Sequence, residues 1–210
     1  GFITWFEEIK LKEELKQKTH EMEMALVKAQ LDPHFLFNTI NNIDVLILKD
    51  ANEASAYLNK LSDMMRFMLY ETKTDRIPLL QEIEYIEKYI ELQKIRTVNT
   101  SYINYIKRGT CEEKEIAPMI LAPFIENAFK HTTNKKVEDA ITIELAIHQE
   151  KIEFKCVNRF NPIRTLDETG NGLGNELIQK RLNLIYPDQH TLSIHKKEDL
   201  YEVQLTIHYG

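Results

Sequence analysis

Residues 118–131 read PMILAPFIENAFKH, and they decide how the second half of this chain is organised. The run predicts a helix, with Pro123 inside it or at a break in it. Phe124, Ile125, Ala128 and Phe129 supply an apolar surround. Asn127, Lys130 and His131, spaced by three and four residues, share one helix face. An amide oxygen can bind Mg²⁺, and Lys or His can meet phosphate. The same spacing suits a capped, amphipathic surface helix, so on spacing alone both readings stand.

Downstream, Ile141–His148 and Lys151–Asn158 are strand-like, with a short turn between them. Gly172–Tyr186 reads as a helix. His190–Lys196 and Tyr201–His208 read as a closing hairpin across the Lys196–Asp199 turn. Just upstream, Ser101–Lys107 is rich in Tyr and Ile and reads as a strand. The second half is therefore a mixed α+β layer in which hairpins are expected. Three of the chain's six glycines fall in one short run, Gly170-Asn171-Gly172-Leu173-Gly174-Asn175, ahead of a helix. Glycines let a backbone approach a ligand, and the amides at a helix start attract phosphate. A flexible turn is the plainer alternative.

The first half has a different texture. Residues 7–50 contain no Gly and one Pro, Pro33, and read as one long helix. Leu15, Met22 and Ala29 recur every seven residues. Leu11 and Ala25 take the other seam position, which Lys18 interrupts, so the heptad is weak. Leu36, Ile40, Ile43 and Ile47 continue as an apolar stripe. Asp50 followed by Glu53 resembles a capping box and opens a second helix. Its buried face is expected at Leu58, Leu61, Met65 and Met68. Two antiparallel helices with one stripe each make a thin core. A second copy would complete a four-helix bundle, so a homodimer is expected. Pro78 opens a third helix, with Leu79, Ile83, Ile86 and Ile90 on one face. The polar stretch 71–76 is the expected boundary, dividing the chain into residues 1–75 and 76–210.

Inside the long helix lies Asp32-Pro33-His34-Phe35-Leu36-Phe37-Asn38. A helical proline removes a backbone hydrogen bond and tends to kink the axis. His34 faces away from the apolar stripe, and Asn38 lies one turn later on its side. This arrangement fits an accessible imidazole that attacks a phosphoryl group, with Asn38 orienting a water or a phosphate oxygen. Taken by spacing alone, an idle surface histidine fits better, because such histidines are common.

Composition narrows the classes further. Hydrophobic residues make up 43% and charged residues 29% of the 210, a soluble globular balance rather than a disordered one. The net charge of −6 argues against a broad nucleic-acid surface. Cys111 and Cys156 form no zinc or redox motif, which suits a reducing compartment. No stretch is long and apolar enough to span a bilayer. Phe2, Ile3, Trp5 and Phe6, followed at once by charges, look like the cytoplasmic end of a membrane helix. With Gly1 rather than Met at its start, the chain is expected to be the cytoplasmic part of a longer protein, attached to a membrane through a segment before Gly1.

Three of these segments together resemble the LytS/YehU-type sensor histidine kinases. Pro33–Asn38, PHFLFN, is similar to that family's His-box. Glu126-Asn127-Ala128-Phe129-Lys130-His131 looks like the N-box of the GHKL ATPase fold. Gly170, Gly172, Leu173 and Asn175 match the late G-box, followed by the family-like run Arg181–Pro187. Pro78–Arg96 resembles the helix that joins the two domains. The match covers nearly all of residues 25–208, and the order and spacing of the motifs make it specific.

The resemblance implies a dimeric helical bundle carrying His34, tethered to a Bergerat-type α/β sandwich that binds ATP and Mg²⁺. It implies that His34 accepts the γ-phosphoryl group and passes it to an aspartate of a response regulator, often one with a LytTR DNA-binding domain. Glu126, Asn127, Lys130, His131, Asn158, Leu173 and Asn175 fall among the nucleotide-binding positions. Asn127 would ligate Mg²⁺, Lys130 and His131 would face phosphate, and the backbone of Gly170, Gly172 and Gly174 would cradle it. Two departures stand out. Where kinase relatives carry Asp-x-Gly at a strand end, this chain has Asn158-Arg159-Phe160, and the segment 159–169 is short for an ATP lid. The Asn158 amide can still accept a hydrogen bond from adenine, without charge assistance. The residue after His34 is Phe35 and not an acid, so no adjacent general base is evident. The alternative reading is a non-catalytic dimeric signalling module with a degenerate nucleotide site.

Overall fold

The structure is a computed structural model that describes residues 3–7, 9–10, 12–13, 33–161 and 171–209. The heptad positions from Leu11 to Ala29 lie outside the described residues, as does Phe2. The short pieces between residues 3 and 13 are helical. Among the described residues no helix is long and apolar enough to cross a membrane.

Helix α1 is described over Pro33–Ile47 and turns back at once into α2, Ala51–Tyr70. The Asp50 side chain caps α2 by accepting the Glu53 amide at 3.0 Å, as the capping pattern predicts. The buried faces differ from the expected ones. On α2 the inward residues are Ala54, Leu61, Met64, Phe67 and Met68, while Leu58 and Met65 are 53% and 37% exposed. On α1 Thr39 and Ile43 are buried, while Ile40 and Ile47 are about half exposed. The reason is that this hairpin has a second neighbour that the two-stripe reading left out. It lays one side on α3, Leu79–Lys94, and leaves the other side open.

Helix α3 buries Leu79, Ile83, Ile86 and Ile90 as expected, and also Glu82, Tyr85, Tyr89, Leu92 and Gln93. A helix buried on nearly every side must be packed from more than one direction. On the hairpin side, Phe35 of α1 meets Tyr89 with ring centroids 4.9 Å apart, and Phe67 of α2 meets Tyr85 at 5.1 Å. Lys60–Glu91 and Lys88–Asp63 pair across the same junction. The opposite side packs on the α/β layer. The stretch between α2 and α3 is a single 3₁₀ turn, Glu71–Lys73, and a short strand β1, Ile77–Pro78, and the buried core runs across it without a break.

The layer that follows is the mixed α+β arrangement read from the sequence. Its elements are β2 (Ile103–Arg108), β3 (Glu115–Ile116), α4 (Ala122–His131), β4 (Ile141–Ile147), β5 (Lys151–Arg159), α5 (Asn171–Ile185), β6 (His190–Lys197) and β7 (Leu200–His208). Five strands form one sheet in the order β2-β4-β5-β7-β6, parallel at β2–β4 and antiparallel elsewhere. β1 and β3 form a separate two-stranded piece. Alternation along β4 and β5 turns Ile141, Ile143, Leu145, Ile152, Phe154, Cys156 and Asn158 to the buried face. Helix α4 is held against that face, with Phe124 and Phe154 centroids 6.0 Å apart. Asn158, the one polar residue in this row, sits opposite Ile141 on one side and Tyr201 on the other.

Candidate functional site

The site begins with how α4 is launched. Glu82 on α3 is fully buried, and its carboxylate accepts the backbone amides of Met119 at 2.8 Å, Leu121 at 3.0 Å and Ala122 at 3.3 Å. These amides lead into the first turn of α4 and have no intrahelical carbonyl to bond. Met119 takes a positive φ of 58°, and its carbonyl accepts from Arg181 Nη1 at 3.0 Å. The Tyr186 hydroxyl accepts the Ala117 amide at 2.8 Å. Burial pushes the Glu82 carboxyl above the usual carboxylate range, and the three amides and Arg181 pull it back. One buried acid thus fixes the direction in which α4 leaves the loop. Pro123 sits in the first turn of α4, not at an interior break, so its missing N–H costs no helical bond.

So aimed, α4 forms one wall of a partly open cavity. Four residues singled out in the sequence line it: Asn127 and His131 from α4, Asn158 from β5 and Asn175 from α5. They come from three elements and span nearly fifty residues of chain. Phe160, Lys196 and Tyr201 complete the lining. Asn175 Nδ2 donates to the Tyr201 hydroxyl at 2.7 Å. Lys196 lies with its ammonium 5.5 Å from the Tyr201 ring centroid, directly across the β6–β7 hairpin. Asn158 is 2% exposed, and its Nδ2 has no hydrogen-bond partner among the described residues. Asn175 Oδ1 is likewise buried without one. Buried polar atoms are normally satisfied, so two unsatisfied ones in one cavity mark a place prepared for a ligand.

Other predicted residues fall elsewhere. Glu126 turns away from the cavity and accepts the Tyr85 hydroxyl at 2.7 Å, tying α4 to α3. Burial pushes the Tyr85 phenol well above its ordinary range, and the charge and hydrogen bond of Glu126 add to the shift. Lys130 is exposed and is not part of the lining. Gly170 lies outside the described residues. Gly172, Leu173, Gly174 and Asn175 stand in the first turn of α5 and not in a loop ahead of it. A Cβ at Gly174 would meet nothing within 4 Å, so no steric crowding requires glycine there. The amides of a first helical turn remain available to an anion all the same.

Phe160, Lys196 and Tyr201 were not singled out in the sequence. Phe160 is two residues beyond Asn158, where the strand leaves the sheet. Lys196 and Tyr201 belong to the hairpin that the sequence does reveal. What it could not reveal is that β7 lies next to β5 and so brings Tyr201 opposite Asn158.

His34 is exposed near the start of the described part of α1. Asn38, one turn on, is half-buried, and Asn41 is exposed, so the polar side expected for this helix is present. Phe35, next to His34, is the ring that packs on Tyr89. Tyr89 in turn meets Phe129 of α4 edge-on at 5.4 Å. The helix carrying His34 is therefore joined to the helix carrying Asn127 through two ring contacts.

Residues 22–101 match the histidine kinase family, a span that includes His34 and all of α1 to α3. Sensor protein LytS from Staphylococcus epidermidis is 28% identical over 92% of this chain. Sensor histidine kinase BtsS from Escherichia coli is 26% identical over 90% of it. The chain spans about a third of the length of these curated relatives. Among solved structures, the catalytic domain of histidine kinase ThkA is 18% identical, with 63% of this chain and 93% of that domain covered at a TM-score of 0.44.

Proposed function

Since this chain is a relative of the LytS-type sensor histidine kinases, we propose that it is the ATP-dependent autokinase and phosphotransfer part of a two-component sensor. In this reading residues 76–210 bind ATP, His34 accepts its γ-phosphoryl group, and the group passes to an aspartate of a response regulator. The observation that carries it is the convergence of Asn127, His131, Asn158 and Asn175 on one cavity that holds two unsatisfied buried amide atoms.

Each residue has a part in keeping with its chemistry. The Asn158 amide meets the Watson–Crick edge of the base. Phe160 and the Tyr201 ring offer faces for stacking. The Asn127 carbonyl oxygen is the protein ligand for Mg²⁺, which neutralises phosphate charge when it is bound. No carboxylate lines the cavity among the described residues, so Asn127 is the residue that would hold the ion there. His131 and Lys196 are placed to offset phosphate charge. Phosphoryl transfer needs positioning and charge neutralisation above all, which is what such a set supplies. At His34 an imidazole nitrogen's lone pair forms the bond to phosphorus as the bond to ADP breaks, and Asn38 lies one turn away to orient the incoming group.

The bundle is completed by a second copy. Ile40, Ile47, Leu58, Met65 and Leu69 remain 37–53% exposed on α1 and α2, at spacings that keep each set on one side of its helix. An open apolar face on a hairpin already carrying a histidine acceptor suits a homodimer seam. The membrane attachment and the LytTR regulator belong to the same proposal, by likeness to the relatives.

One observation favours the second reading, a non-catalytic dimeric module. The base end of the cavity offers an amide and no carboxylate, and Lys130 points to solvent. Titration calorimetry with ATP and Mg²⁺ separates the two. Saturable binding that Asn127→Ala weakens supports the kinase. Absence of binding in a folded dimer supports the module.

A further inference from the structure

We infer that the base pocket accepts guanine as well as adenine, so that GTP and ATP are both ligands of this chain. The inference rests on the reading of the cavity as a nucleotide site and concerns which nucleotides enter it.

The argument starts from two side-chain amides. Asn175 has its Nδ2 committed to the Tyr201 hydroxyl at 2.7 Å, which leaves Oδ1 as an unpaired buried acceptor. Asn158 is 2% exposed and lines the same cavity, and its Nδ2 is an unpaired buried donor among the described residues. An unpaired buried donor costs free energy that a ligand acceptor returns. The cavity therefore asks for an acceptor at Asn158. Guanine O6 is such an acceptor, whereas the exocyclic group of adenine at that position is a donor.

An amide is not restricted to one partner. It carries a donor and an acceptor side by side, and its terminal torsion has two nearly equivalent settings. Adenine shows a donor at N6 beside an acceptor at N1. Guanine shows the reverse, an acceptor at O6 beside a donor at N1. Asn158 complements either edge by turning over in place. A carboxylate at the same position could only accept, so on either edge it would meet the donor and oppose the acceptor, where the amide matches both. Guanine also carries one donor more than adenine, its 2-amino group, and the unpaired Asn175 Oδ1 is an acceptor of the kind that group needs. Phe160 and Tyr201 add ring faces, and stacking on a ring does not distinguish one purine from the other.

The test is titration calorimetry of the purified chain with ATP and with GTP, each with Mg²⁺, for wild type and Asn158→Leu. The wild type is expected to bind the two with dissociation constants within about 10-fold, because the Asn158 amide is paired by either base. Asn158→Leu, which removes both the donor and the acceptor, is expected to weaken ATP and GTP alike, each by about 10-fold or more. ATP binding with GTP weaker by about 100-fold or more would overturn the inference while leaving the nucleotide site standing. Weakening of one nucleotide only, or of neither, in a folded Asn158→Leu would also overturn it. If that variant unfolds in a thermal scan, the wild-type ratio decides alone. Failure of both nucleotides to bind the wild type would overturn the site itself and this inference with it.

Discussion

The Glu82 carboxylate accepts the Met119 amide at 2.8 Å, a bond between residues 37 apart in sequence that sets the course of helix α4. Without that carboxylate the stretch 119–122 would have three buried amides and no acceptor for them. Asn127 and His131 face the cavity because this loop is held, and α3 therefore positions the candidate site without touching it.

Glu82→Gln tests that dependence. The change puts an amide NH₂ against a backbone N–H donor and removes charge from a site shared with Arg181. A loss of about 2–4 kcal/mol in urea unfolding is expected, together with weakened nucleotide binding. A loss under about 1 kcal/mol would show that the carboxylate does not hold the loop.

The contact between hairpin and α3 has two kinds of glue, and they should weigh very differently. Tyr89 is 7% exposed and packs between Phe35 and Phe129. Tyr89→Ala should cost about 3–5 kcal/mol in denaturant unfolding. Lys88 pairs with Asp63 at 3.1 Å, but both side chains are about a third exposed or more. Lys88→Met should cost less than about 1 kcal/mol. Comparable losses for the two would mean that charge, not ring packing, docks the hairpin.

Leu58, 53% exposed, should matter to assembly more than to folding. A charge placed on a two-fold seam appears twice, once from each copy. Leu58→Glu is expected to weaken dimerisation by about 10- to 100-fold in sedimentation equilibrium, with little change in the far-ultraviolet circular dichroism. An unaltered dimer would move the seam off this face.

Asn127→Ala should remove the Mg²⁺-dependent part of ATP binding, a drop of about 10-fold or more, because the described lining holds no carboxylate to take its place. Its thermal transition should stay close to that of the wild type, since Asn127 is only half-buried. Binding that responds to Mg²⁺ as before would take the metal role away from Asn127.

How much of this was legible in the sequence depends on whether a feature is local. The strands, the closing hairpin, the Asp50 cap and the apolar row Leu79–Ile83–Ile86–Ile90 follow from periodicity and turn chemistry, and each appears where it was read. Within one chain the inward face of the hairpin is set by α3, a partner distant in the sequence, and so is not legible from the stripes alone. Leu58 and Met65 continue the stripe as well as Met64 and Phe67 do, and only the docking of α3 chooses between them. The site divides in the same way. Asn127, His131, Asn158 and Asn175 carry polar chemistry on otherwise apolar elements and stand out in the sequence. Tyr201 and Lys196 lie on an ordinary strand and turn, and only the β5–β7 pairing brings them to Asn158. Glu82 looked like one of many helix acids until its three amide partners were placed around it.

The central claim is that His34 is the acceptor for a phosphoryl group from the nucleotide bound across α4, β5 and α5. It is tested most directly by incubating the purified chain with Mg²⁺ and ATP radiolabelled at the γ-phosphate, wild type against His34→Gln. The account predicts label on the wild type that is stable to alkali and lost in acid, as a phosphohistidine is, and none on His34→Gln. Equal labelling of both, or no labelling of a wild type that binds ATP, would contradict it.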